Sequence, residues 1–188
     1  MSPLKKVLSV LFIGAGLLAC SEEKKLERRV VLHPNKAVWK EWNIERTPKG
    51  DTLIQGPYKE FFWNGSPAQS TLYKDGKKEG SSQAWYDNNA LKWAKVYAAD
   101  KPTAEWHLYT REGRAWMTIA FNDKGQIEGK VKAWDRVDAS TIYDAEFKGG
   151  ECVSGDCAVL NPVIPDDLPE SSKSVLLKDK ETVSAFLE

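Results

Sequence analysis

Aromatic positions return along this chain on a nearly fixed beat. Phe61, Trp85, Tyr109 and Trp134 stand 24, 24 and 25 residues apart, and Tyr73, Tyr97, Phe121 and Phe147 follow at 24, 24 and 26. A fixed period of this length is the mark of a repeat architecture. Four windows align, opening at Gly56, Gly80, Ala104 and Gly129, each with an aromatic residue five positions on. Three of them then reach a turn pair, Asn64-Gly65, Asn88-Asn89 or Glu112-Gly113. Asn-Gly is the strongest of these, because a type I′ turn needs positive φ at both central residues. A second strand follows, such as Leu91–Tyr97, and then a looser turn at Asp75-Gly76, Asp100-Lys101-Pro102 or Asp123-Lys124-Gly125.

Each unit therefore reads as strand, tight turn, strand, looser turn. About eight strands of roughly 20 Å fit between Gly56 and Lys148. Consecutive hairpins with no helix-length apolar pattern between them predict an all-β antiparallel meander with a period of about 24 residues, built as a single-layer or curved sheet. Alternation assigns faces. Leu91, Trp93, Lys95 and Tyr97 share one face of their strand, and Ala115, Met117, Ile119 and Phe121 the matching face of theirs. Trp116 falls on the opposite parity beside Thr118, and Trp63 falls at a turn. Both are expected to be exposed and are the candidate binding aromatics. The other repeat tryptophans, Trp85, Trp106 and Trp134, are expected to form an internal ladder.

Tyr73-Lys74-Asp75-Gly76-Lys77-Lys78-Glu79-Gly80 and Trp85-Tyr86-Asp87-Asn88-Asn89 resemble the MORN family (membrane occupation and recognition nexus) in its divergent bacterial form. Ala104 stands where that pattern has Gly, and Asp135 where it has a second aromatic. The resemblance covers about half of the chain. It implies a repetitive β-sheet with an interaction role, and, because some bacterial relatives carry an antitoxin label, a toxin-neutralising alternative.

The flanks divide the rest. Lys5-Lys6, an apolar run from Val7 to Leu18, and Ala19-Cys20 read as a signal peptide over residues 1–19. Leu17-Leu18-Ala19-Cys20 resembles a bacterial lipobox, which implies lipidation of Cys20, membrane attachment, and, with Ser21 next, placement in the outer membrane. Residues 20–29 read as a charged tether. Residues 30–55 read as a capping hairpin out of register with the repeat, and 56–157 as the repeat region. Residues 158–188 read as a Pro-broken linker and a C-terminal segment that fits no single period.

Charge and chemistry narrow function mainly by exclusion. Residues 1–19 hold two lysines and no acid, so the remaining 169 residues carry 25 basic and 27 acidic groups. That balance gives no drive toward nucleic acid. Cys152 and Cys157, separated by Val-Ser-Gly-Asp, read as a local disulfide in an exported chain. A metal site would need three or four ligands, and neither histidine, His33 or His107, is close in sequence. His107 sits in a polar column with Lys59, Gln83 and Lys132. No phosphate loop, metal motif or nucleophile–base pattern appears, so no cofactor and no catalysis are expected. The expected function is a membrane-anchored, non-enzymatic repeat lipoprotein that binds a protein or envelope component. Glycan binding through exposed tryptophan is the alternative.

Overall fold

The computed structural model describes residues 25–157, and all regular structure among them is strand. The strands are β1 (Leu26–Leu32), β2 (Val38–Arg46), β3 (Thr52–Phe61), β4 (Pro67–Lys74), β5 (Lys77–Trp85), β6 (Leu91–Ala98), β7 (Lys101–Tyr109), β8 (Ala115–Phe121), β9 (Ile127–Trp134), β10 (Thr141–Lys148) and β11 (Glu151–Gly155). They form one open sheet in chain order, each neighbouring pair antiparallel. The meander is as predicted, and β3 through β10 supply the eight strands expected between Gly56 and Lys148.

The ladder starts earlier than the sequence suggested. The hairpin β1–β2 is in register with the repeat. Its chain shifts by one residue after Val31–Lys40, as β3–β4 does after Glu60–Gln69, so Leu32 occupies the column of Phe61. Ile44 then falls in the column of Tyr73 and is buried like Tyr97 and Phe121. A longer β2–β3 connection hides this hairpin from a 24-residue search. Leu26–Arg29, the end of the predicted tether, already belong to β1.

The turn types differ from those predicted at most of the hairpins. Asn64-Gly65 is part of a three-residue loop, in which Phe62 N–H donates to Ser66 O at 2.9 Å and only Gly65 (φ 84°) is left-handed. The Asn64 side chain explains why its own φ stays negative: its Oδ1 accepts the Ser66 N–H at 3.0 Å, supplying the turn's closure without a left-handed backbone. Two of the three predicted looser turns carry the two-residue geometry instead, while Asp123-Lys124-Gly125 is again a three-residue loop, closed by Asn122 N–H to Gln126 O at 3.0 Å. Asp75-Gly76, Ala99-Asp100 and Gly149-Gly150 have positive φ at both positions.

The residue that opens each repeat has a structural reason. Gly56, Gly80, Ala104 and Gly129 lie in bulged stretches of β3, β5, β7 and β9, where the register slips by two residues. All four have positive φ, at 75°, 85°, 56° and 82°. Bulges sharpen the right-handed twist of a sheet. Here they recur in every repeat, and turns fold back onto earlier strands: Gly76 N–H donates to Ile54 O at 2.9 Å and Asp100 N–H to Lys78 O at 3.0 Å.

The two aromatic columns lie on opposite faces. Tyr73, Tyr97, Phe121 and Phe147 are on the inner face, which holds the core. Phe61, Trp85, Tyr109 and Trp134 are on the outer face and are half-buried. The internal ladder expected of Trp85 and Trp134 therefore holds only for Trp106, which is fully buried and donates its Nε1–H to Val96 O at 3.1 Å. Around it pack Leu108, Met117, Ile119, Val131, Ala133 and their neighbours.

Candidate functional site

Side chains change character along the inner face while the backbone repeats. One register row runs Lys40, Glu60, Gln69, Ala84, Trp93 across β2–β6 and continues Leu108, Met117, Ala133, Tyr143 across β7–β10. The next row runs Tyr58, Thr71, Ser82, Lys95, and its later members are Trp106, Ile119, Val131 and Ala145. Positions that are polar or charged in the N-terminal half are apolar in the C-terminal half. Lys95 marks the boundary. It is buried, with Nζ 4.7 Å from the ring centres of both Trp93 and Trp106.

The N-terminal half of this face is a set of half-buried aromatics interleaved with hydrogen-bonding groups. Trp42 lies 5.7 Å from Tyr58, and Tyr58 lies 6.2 Å from Tyr73, centre to centre. Tyr58 Oη donates to Glu60 Oε1 at 2.8 Å, and Lys40 Nζ meets the same oxygen at 2.8 Å. The Lys40 and Glu60 side chains keep 27% and 26% of their surface exposed, so the pair is partly open to solvent. The hydrogen bond to Glu60 holds the Lys40 ammonium above its usual pKa, against some desolvation. Burial raises the Tyr58 phenol, reinforced by its bond to Glu60. Burial also raises Tyr73, with Asp100 adding to the effect. At neutral pH the site thus offers a neutralised ion pair, un-ionised phenols and an indole face.

The deeper polar groups satisfy one another. Thr71 Oγ1 and Ser82 Oγ are 2.7 Å apart, both side chains buried, and Gln69 Nε2 donates to Thr71 Oγ1 at 3.2 Å. Gln55 donates to Glu45 at 2.8 Å and to Asp75 at 2.6 Å, and accepts the Asp75 N–H. Such mutual pairing removes the penalty that buried hydroxyls and amides otherwise carry.

The two predicted binding tryptophans part company. Trp63 is 73% exposed at the tip of the β3–β4 loop, its carbonyl held by Asn35 Nδ2 at 3.0 Å. Trp116 is buried, contrary to its parity. It is the extra residue where β8 bulges against Leu108–Tyr109, so alternation breaks there and the indole joins the apolar cluster. The Arg136 guanidinium lies 4.1 Å above its ring. The same bulge position carries Trp39, which is 42% exposed, 5.7 Å from His33 and 4.7 Å from Lys40 Nζ.

Cys152 and Cys157 are bonded, with Cα atoms 5.6 Å apart, closing the end of β11. Asp156 fixes the same corner by accepting the Asp144 N–H at 2.8 Å. His33 Nε2 bonds Phe61 O at 2.9 Å, and His107 faces outward in the polar column beside Glu105. Among the described residues no group of three or more His, Cys, Asp or Glu could hold a metal ion. Cys20 and residues 158–188 lie outside the described residues.

Sequence reasoning missed Trp42, Tyr58 and Tyr73 as a unit. The signal was available in Ile44, which sits 29 residues before Tyr73, but only if the first hairpin is allowed a longer connection. The repeat pattern matches no protein-family model. Comparison with curated proteins finds no match either.

Proposed function

We propose that this chain is a membrane-anchored, non-enzymatic β-repeat lipoprotein of the bacterial envelope, which binds an envelope component on the N-terminal half of its inner face. The observation that carries the reading is the asymmetry of that face. The same backbone columns are filled with closed apolar side chains in β7–β10 and, apart from buried Ile44 and Thr71, with half-open aromatic and polar side chains in β2–β4. A repeat maintained only for packing gains nothing from that change, since polar groups replace burial that stabilises at about 25 cal/mol per Å².

Three further features support it. Leu17-Leu18-Ala19-Cys20 has the form of a lipobox, and the Cys152–Cys157 bond suits an oxidising compartment. The MORN-type windows suit an interaction scaffold. Leu26 lies six positions after Cys20, a reach of at most about 22 Å. The anchor would therefore hold the first hairpin, and the open half of the face, close to the membrane surface.

Fractionation tests the anchor. The wild-type chain is expected in the membrane fraction with lipid on Cys20, and Cys20→Ala in the soluble fraction. A photo-reactive residue at position 58 tests the face. It should capture an envelope component, whereas one at Thr118 on the outer face should not. Equal capture from both positions, or a measurable turnover of the captured species, would overturn the reading.

A further inference from the structure

We infer that the ligand of this face is a neutral glycan oligomer, seated across Trp42, Tyr58 and Tyr73, an assignment that rests on the binding-module reading above. Three observations converge on it. The first is shape. The rings come from three adjacent strands and span about 10 Å at the usual strand spacing. Their centres are 5.7 and 6.2 Å apart, with Trp42 tilted by 38° and Tyr73 edge-on at 65° to Tyr58, so they make a stepped aromatic strip rather than a flat one. Pyranose rings carry C–H faces that pack on such a strip, and its length favours an oligomer over a single sugar.

The second is charge. Lys40 and Glu60 meet at 2.8 Å on this face and cancel each other. An anionic headgroup, a nucleic acid or a basic peptide would find no net charge in this pair to complement its own, and the Lys78 ammonium, opposite Tyr73, is turned over the Tyr97 ring. A sugar needs none. Its hydroxyls both donate and accept, and the strip is edged by groups of both kinds: the Glu60 carboxylate accepts, and the Lys40 ammonium and Gln69 amide donate.

The third is the backbone. β2, β3 and β4 are each paired on both sides, so their main-chain groups are committed to the sheet. A peptide adding itself as a strand has no edge here to use. Recognition has to run through side chains alone, which suits a ligand read by stacking and hydroxyl contacts.

Titration of the full chain tests the assignment. The probes are tetramers of β-1,4-linked N-acetylglucosamine and of β-1,4-linked glucose, followed by tryptophan fluorescence and calorimetry. Saturable binding is expected with at least one of them, tighter than with the matching monosaccharide. Trp42→Ala should weaken it at least tenfold, and Glu60→Gln several-fold, while Trp63→Ala leaves it unchanged. Circular dichroism and thermal melting confirm that each variant folds. Where Trp42→Ala fails that check, Trp42→Phe takes its place, with a smaller loss expected. No saturable response to either oligomer, or equal binding by wild type and a folded Trp42→Ala, would overturn the assignment. A photo-reactive residue at position 58 separates the other occupants. Capture of a protein, a second copy or residues 158–188, with no response to sugar, overturns the glycan and leaves the face a binding surface. Capture of nothing at all sinks both readings.

Discussion

The β2–β4 and β7–β10 segments use one backbone plan for opposite ends. Both have a hairpin per repeat, a bulge after each turn and the same register rows across the inner face. In β7–β10 those rows hold Trp106, Ile119, Val131 and Ala133, all essentially without exposure. In β2–β4 they hold Lys40, Trp42, Tyr58, Glu60 and Gln69, all half-buried, with only Thr71 fully buried among them. The difference teaches that the fold is specified by turns and bulges, which both halves keep. The side chains on the face are free to diverge. One half uses them for stability and the other keeps them for recognition.

The largest expected effect lies in the closed half. Trp106→Ala should cost about 3–5 kcal/mol, since it empties the centre of the apolar cluster and removes the indole hydrogen bond to Val96 O. Tyr58→Ala, at the equivalent position of the open half, should cost clearly less, because its ring is only half-buried. Denaturant melts of the two variants compare them directly. Equal losses would erase the distinction between the halves.

A smaller effect isolates the polar network. Ser82→Ala alone leaves the buried Thr71 hydroxyl short of its partner and should cost about 1–3 kcal/mol. Adding Thr71→Val removes both ends of the bond at nearly constant shape. The double variant should recover most of the loss, and a double-mutant cycle measures the coupling.

pH separates the halves by group. Burial raises the Tyr143 phenol, and Asp156 adds to it, so the folded state holds its proton more tightly than the unfolded chain. The stability linked to Tyr143 is therefore complete below the ordinary tyrosine value of about 10 and falls as pH rises through the higher folded value. Tyr143→Phe should flatten that alkaline loss. At the other edge, the hydrogen bond from Arg46 lowers Glu27 and that from Arg28 lowers Glu41. Their contribution is present above the ordinary value of 4.5 and is lost as pH falls through the lowered folded values. β1 should loosen first in acid, visible as faster amide exchange at Val30 and Val31.

The smallest effect concerns the backbone. Ala104 occupies the left-handed position that its counterparts fill with glycine. Left-handed backbone costs a residue with a side chain about 1–2 kcal/mol, and glycine gives back roughly 0.5–1 kcal/mol in unfolded-state entropy. Ala104→Gly should therefore raise stability by up to about 1 kcal/mol, read as a shift in melting temperature.

Much of the scaffold was legible in the residues. The aromatic beat, the turn residues and the opening glycines suffice for an antiparallel meander and for the strands from Gly56 to Lys148. Cys152 and Cys157 were close enough in sequence to read as a bond. Faces were legible wherever strict alternation held, as at Met117, Ile119 and Phe121. They were not legible at bulges, where one extra residue reverses parity, and Trp116 is the instance. Turn type was hidden at Asn64, because a side-chain hydrogen bond did the work that the dipeptide rule assigns to the backbone. The open half of the face was hidden for a different reason. Trp42, Tyr58 and Tyr73 lie far apart in sequence and meet only once β2 is placed beside β3 in register.

Native-state hydrogen exchange on the full chain tests the difference between the halves most directly. Amides of β7–β10 should exchange only through global unfolding, with one shared free energy, while those of β1–β4 open at distinctly lower cost. Equal protection from β2 to β10, or the slowest exchange in β2–β4, would contradict the division of one sheet into a closed core and an open recognition face.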